Sequence, residues 1–134
     1  MNTRFEYYNP NPLARFKKDG TPMNWHKCDC TTRAFCCALN QSWMKTYQEQ
    51  CATGAKMFDM PDSPKVVEAY ALEKGMVRKS LPTYLTLSEF AKTHNGTYVV
   101  NMRGHVVCVK NNKYYDTYDR GEWMIKTYYE LINF

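Results

Sequence analysis

An α+β fold, helices first and an antiparallel sheet after them, is what this sequence predicts, and three observations carry it. Capped helical patterns fill residues 30 to 95, the periodicity changes to β-branched alternation after Gly96, and no helix is interleaved among the later strands. The chain of 134 residues matches a single domain, 1–134, large enough to bury a core without covalent staples. Hydrophobic residues at 44% and charged residues at 23% fit a globular protein and exclude a disordered one.

Residues 1–23 read as an extended lead-in, with turns at Asn9-Pro10-Asn11-Pro12 and Asp19-Gly20-Thr21-Pro22. The first helix begins near Cys30. Ala34, Phe35, Cys37 and Ala38 give it an apolar face, and Asn40 stops it after Leu39. Ser42 caps a second helix through Trp43, Met44, Tyr47 and Cys51 that ends at Gly54. Ser63 and Pro64 open a third through Val67, Tyr70 and Ala71, closed by Gly75. Thr86-Leu87-Ser88-Glu89 is a capping box for a short helix that Asn95-Gly96 terminates. Strands follow over 97–102, 106–109 and 113–118, and Asn111-Asn112 suits a two-residue hairpin turn because Asn tolerates positive φ. Residues 123–134 lean toward strand, on Thr127-Tyr128-Tyr129.

Composition excludes several functions. No apolar run approaches the roughly 20 residues of a membrane span, and the N-terminus has no apolar signal core. The expected setting is therefore cytoplasmic, or the interior of a particle. The formal charge of +5 is spread out, with Lys17-Lys18 and Arg78-Lys79 the basic doublets, which argues against a nucleic-acid stripe. Six cysteines in a chain of this size read as reduced thiols. A zinc site from His26, Cys28 and Cys30 with Cys36 or Cys37 is the competing reading, but the spacing lacks the two separated ligand pairs of the usual knuckles. No cofactor or metal is expected.

Cys30 stands where the lead-in meets the first helix, a position that favours a thiolate through the helix dipole and unpaired backbone N–H groups. His105 starts a strand, where its ring can stand at the sheet edge. If Asn111-Asn112 is the turn, paired positions sum to 223, and Asp116 becomes the diagonal neighbour of His105 on one face while Asp119 points to the other. Arg33, one turn along from Cys30, is positioned to pair with Asp29 or another acid and to favour the thiolate, or to remain a solvated helix charge. Cys108 reads as core.

Asp29-Cys30-Thr31-Thr32-Arg33-Ala34, Gly96 to Val100, Gly104-His105-Val106-Val107 and Tyr115 to Asp119 together resemble the small papain-like cysteine peptidases. The nearest likeness is to phage and bacterial proteins described as bacterial transglutaminase-like cysteine proteinases. It covers roughly Asn24 to Asp119 and keeps the order Cys, His, Asp. The resemblance implies Cys30 as nucleophile, His105 as general base and then acid, and Asp116 as its orienter. Papain-like enzymes also carry an amide side chain six residues before the nucleophile. Here that is Asn24, an oxyanion-hole donor beside the backbone N–H of Cys30, where the family more often has Gln.

The expected function is thus that of a thiol hydrolase acting on an amide or isopeptide bond of a protein or peptide, with hydrolysis and transamidation both open. The rival expectation is a papain-like scaffold kept as a binding protein, such as a phage factor that occupies a host protein. The 15% aromatic share and 11 Tyr suit an interface of that kind.

Overall fold

The computed structural model describes residues 4–23 and 28–132, which hold four helices and a mixed sheet of six strands. In chain order these are β1 (Phe5–Tyr7), α1 (Cys30–Leu39), α2 (Trp43–Met57), α3 (Pro64–Glu73), β2 (Met76–Thr86), α4 (Leu87–Thr93), β3 (Thr97–Met102), β4 (His105–Lys110), β5 (Lys113–Asp116) and β6 (Met124–Leu131). The strands lie in the order β1-β5-β4-β3-β6-β2. The α+β expectation holds for this arrangement.

The expected caps are present. Ser42 accepts from the Lys45 N–H, Ser63 from Val66 N–H with Pro64 behind it, and Thr86 and Glu89 complete a reciprocal capping box. Asn40 ends α1 in the left-handed conformation, at φ 55°. Asn111 and Asn112 have φ of 54° and 61°, as a turn matching strand twist requires. Lys110 therefore faces Lys113, Val109 faces Tyr114 and Cys108 faces Tyr115, the register deduced from the sequence. Gly104, at φ 68°, closes the preceding hairpin so that His105 pairs directly with Met102.

Four expectations need correction. The sheet is not purely antiparallel, because β1, inside the segment read as a lead-in, pairs in parallel with β5. Residues 76–86 form the longest strand, which alternation did not reveal: Val77 to Ser80 are all exposed, Pro82 follows, and the register shifts between Ser80 and Leu85. That is an edge strand, and edges tolerate both features. Gly54 does not end α2, which continues to Met57 and closes with Phe58 at φ 54°. Gly54 is needed for closeness instead, since a Cβ there would sit 2.7 Å from the Asp59 carbonyl oxygen. The strand expected over 113–118 stops at Asp116.

The sheet has two covered faces. One packs Val99, Cys108, Tyr129 and Met76 against α1 and α3, through Phe35, Val67, Tyr70 and Ala71. The other packs Val100, Val107, Val109, Tyr114, Ile125 and Tyr128 against Leu87, Phe90 and Ala91 of α4. Because side chains alternate, each strand feeds both cores. No helix among the described residues is long and apolar enough to cross a membrane.

Candidate active site

The first turn of α1 lies against the start of β4, which brings Cys30 of the helix to His105 of the strand. The two side chains hydrogen-bond. On the other side of the ring, His105 Nε2 lies 2.8 Å from Asp116 Oδ2. A carboxylate only accepts, so Nε2 carries the proton and donates, which leaves Nδ1 for the thiol. Asp116 is at the last position of β5, where the Asn111-Asn112 register puts it on the face of His105.

Asp116 is 2% exposed and unusually well provided with donors. Its Oδ1 accepts from the Thr117 N–H at 2.7 Å and meets Arg33 Nη2 at 3.5 Å. Its Oδ2 accepts from Arg120 Nη1 at 2.8 Å as well as from the histidine. Burial alone would raise the acid's pKa, but the histidine, Arg120 and the Thr117 N–H outweigh it and hold the carboxyl below its ordinary range. Arg120 also stacks between two rings, its guanidinium carbon 5.2 Å from the centroids of both Tyr118 and Trp123. Trp123 in turn meets the His105 ring edge to face at 6.0 Å.

Arg33 joins the two halves of the site. It is 8% exposed, pairs with Asp29 one turn back on α1, and reaches Asp116 on the sheet. Both of the roles weighed for it, as partner of Asp29 and of another acid, are thus occupied. Asp29 does not cap α1 with its side chain. Its carboxylate is turned away to Arg33, to Trp43 Nε1 at 3.0 Å and to Asn11 Nδ2 at 3.0 Å. The positive end of the helix, with the N–H of Cys30 among its first-turn donors, is therefore left to the site and not spent on a cap.

The electrostatics favour an ion pair. Burial opposes ionisation of Cys30, but the hydrogen bond and charge of His105, the Val106 N–H and the Arg33 cation together bring its pKa below that of an ordinary cysteine. Burial likewise works against a charged His105. The hydrogen bonds to Asp116 and Cys30 and the Asp116 charge overcome it, against an opposing contribution from Arg120, and its pKa is raised. Both shifts point toward thiolate and imidazolium. By contrast, burial pushes Cys36 and Cys108 upward.

A cleft of about 600 Å³ opens beside Cys30 and His105. Its floor crosses the sheet through Val106, Asn101 and Thr127, which are neighbours across β4, β3 and β6. Pro64, Lys65 and Glu68 of α3 form the facing wall.

Of the four expected site residues, Cys30, His105 and Asp116 are brought together, and Asn24 lies outside the described residues. So does His26 of the zinc reading; among the described residues no group of three His, Cys, Asp or Glu could hold a metal ion. Sequence reasoning missed Arg120, which is four residues from Asp116 but in a segment with no periodicity to announce it. It also missed the support of Asp29 by Trp43. Comparison with known proteins adds no identity: no family model, no curated protein and no solved structure matches the chain.

Proposed function

We propose that this protein is a papain-like thiol hydrolase that cleaves an amide or isopeptide bond by acyl transfer through Cys30, His105 and Asp116. The observation that carries the reading is the linear chain of contacts from the thiol through the imidazole to a buried carboxylate, with Cys30 shifted toward thiolate and His105 toward imidazolium. The helix-borne thiol, the strand-borne partners and the order along the chain agree with the resemblance to the papain-like peptidases.

The steps follow from the placement. The Cys30 sulfur attacks the carbonyl carbon, and the charge that develops on the carbonyl oxygen is met by the Cys30 N–H, with Asn24 as the second donor that the resemblance implies. The His105 imidazolium gives its Nδ1 proton to the leaving amine as the C–N bond breaks, which leaves a thioester. Neutral His105 then takes a proton from water, whose oxygen attacks the thioester; the acid departs and the Cys30–His105 ion pair is restored. Asp116 keeps the proton on Nε2 throughout and stabilises the imidazolium. An amine in place of water would give transamidation at the same site.

The test is site-resolved iodoacetamide labelling across pH, read by peptide mass spectrometry, for the native protein and His105→Ala. Cys30 is expected to react fastest of the six thiols at pH 6 and to lose that lead in the variant. A Cys30 that reacts like an ordinary thiol in both proteins removes the hydrolase reading and leaves the binding-protein alternative.

A further inference from the structure

The catalytic cleft continues beyond its own floor. Asn101, Met102 and Thr127, which line it, also line a second groove of about 760 Å³. Asn101 and Thr127 are partners across β3 and β6, so the two spaces meet on one row of the sheet. Trp123, which lines the second groove, meets the His105 ring at 6.0 Å and ties that groove to the catalytic histidine. Its volume falls within the roughly 300–1,000 Å³ of small-ligand sites, room for a short piece of chain.

The two spaces differ in charge. The catalytic cleft is lined by Asp62 and Glu68 as well as by Lys65 and Arg78, which balance each other. The second groove has Arg103 and Lys126 and no acid; Glu122, next to Trp123 in the chain, does not line it. Both cations are exposed, and the fold sets their places. Arg103 is on the tight turn between β3 and β4, beside Gly104 at φ 68° and two residues before His105. Lys126 is on β6, with its ammonium 5.4 Å from the centroid of the Tyr84 ring. Neither forms an ion pair with another described residue. Two like charges in one space with no carboxylate between them favour an anion that enters it.

We propose that this groove is an acid-preferring subsite, which receives a glutamate- or aspartate-bearing stretch of the substrate polypeptide beside the bond that Cys30 attacks. The acidic side chains pair with Arg103 and Lys126. Trp123 and Tyr84, 42% and 59% exposed, cover the aliphatic parts with Met102 and Met124. Two cations are too few for the run of phosphate contacts that a nucleic acid needs, and the rest of the lining is uncharged. The proposal rests on the acyl-transfer reading, since it makes the groove part of substrate selection next to Cys30.

The experiment is an NMR titration of the full-length ¹⁵N-labelled protein with acetyl-Ala-Glu-Glu-Ala amide and, separately, with acetyl-Ala-Gln-Gln-Ala amide. Saturable shifts are expected at the Arg103 and Lys126 amides and the Trp123 indole. At about 50 mM salt the glutamine peptide should bind about tenfold more weakly, the effect of two exposed ion pairs together. At about 500 mM salt that gap should close, because exposed charges are screened. Arg103→Gln combined with Lys126→Gln, both on exposed side chains, is expected to bind the two peptides alike. Arg103→Glu combined with Lys126→Glu is expected to favour acetyl-Ala-Lys-Lys-Ala amide instead. The proposal is overturned if no saturable shifts occur, if the native protein binds both peptides equally, or if discrimination survives the paired glutamine variant. Cys30 labelling keeps the two readings apart. Discrimination with a Cys30 that labels like an ordinary thiol ends the hydrolase reading and leaves the groove. No discrimination with a fast-labelling Cys30 ends the acid-preferring subsite alone.

Discussion

His94 and His105 stand in chemically opposite surroundings. His94, after α4, stacks on Phe90 at 3.9 Å and 11°, meets Tyr98 and Tyr128 edge-on, and bonds through Nδ1 to the Phe90 carbonyl and Thr93. His105, at the start of β4, has a thiol on one side and a buried carboxylate on the other. Both rings are partly buried. Burial therefore does not distinguish the two rings; a place between two ionisable neighbours does.

The largest expected effect breaks the comparison outright. His105→Ala should cost roughly 10²- to 10⁴-fold in turnover, the usual range for a positioned acid–base group, while His94→Ala should leave turnover per folded molecule within about twofold, a neutral surface-like change in chemistry terms. Native activity should follow a bell in pH. It falls on the acid side as Cys30 takes up a proton, at a lower pH than an ordinary thiol would, and on the alkaline side as His105 loses the proton it must donate, at a higher pH than an ordinary imidazole would. Equal losses in the two variants, or a monotonic pH profile, contradict the assignment.

Stability should separate the two surroundings next. Phe90 is fully buried among His94, Tyr98 and Tyr128, so Phe90→Ala is expected to cost about 3–5 kcal/mol by denaturant unfolding. Arg33→Met should cost a similar amount, about 3 kcal/mol, for a different reason: it leaves Asp29 and Asp116 charged, buried and short of a cation. Only the second variant should also slow iodoacetamide at Cys30, because Arg33 contributes to the lowered thiol pKa and Phe90 does not. A Phe90→Ala protein with slowed labelling at low denaturant would show that the two surroundings are not independent.

How much of this the sequence displayed depends on the range of the interaction. Asp116 could be found because the Asn111-Asn112 turn fixes register over a few residues, and register fixes face. Cys30 and Ser63 were legible from helix starts, which are local. β1 was not: three residues, Phe5–Tyr7, acquire strand form only by pairing with β5 more than a hundred residues later. The Arg33–Asp116 and Trp43–Asp29 contacts join separate elements, and no spacing rule links them. Cys30, His105, Asp116 and the Arg33–Asp29 pair could be read, and the contacts of Arg120 and Trp43 could not.

Arg120 sharpens the comparison by a smaller amount. It holds Asp116 at 2.8 Å, yet its charge works against the protonated form of His105. Arg120→Gln should therefore lower turnover roughly tenfold through a looser carboxylate, the scale of one charge-assisted hydrogen bond. The same variant should move the alkaline limb of the pH profile upward, since the opposing cation is gone. A limb that stays in place, with turnover reduced, would assign Arg120 to packing on Tyr118 and Trp123 alone.

The smallest effect concerns a carboxylate that imitates Asp116 without chemistry. Glu49 of α2 gathers Tyr70 Oη at 2.8 Å, Lys74 Nζ at 2.8 Å and Gln41 Nε2 at 3.1 Å on one oxygen, which ties α2 to α3. Partial burial would raise its pKa, but the bonds to Lys74, Tyr70 and Gln41 and the lysine charge bring it down to about 2. A depressed carboxylate stabilises the fold above its unfolded pKa, and that contribution disappears as pH falls from about 4.3 toward 2. Because Glu49 is partly solvated, Glu49→Gln should cost about 1 kcal/mol at neutral pH, or about 4 °C in Tm, and flatten the loss of stability across that acid window. Turnover and Cys30 labelling should not move, because the bonds of Glu49 run to Tyr70, Lys74 and Gln41 and not to Cys30 or His105. Three donors around a carboxylate make an anchor wherever they occur, and what sets Asp116 apart from Glu49 is the His105 ring that stands between it and a thiol.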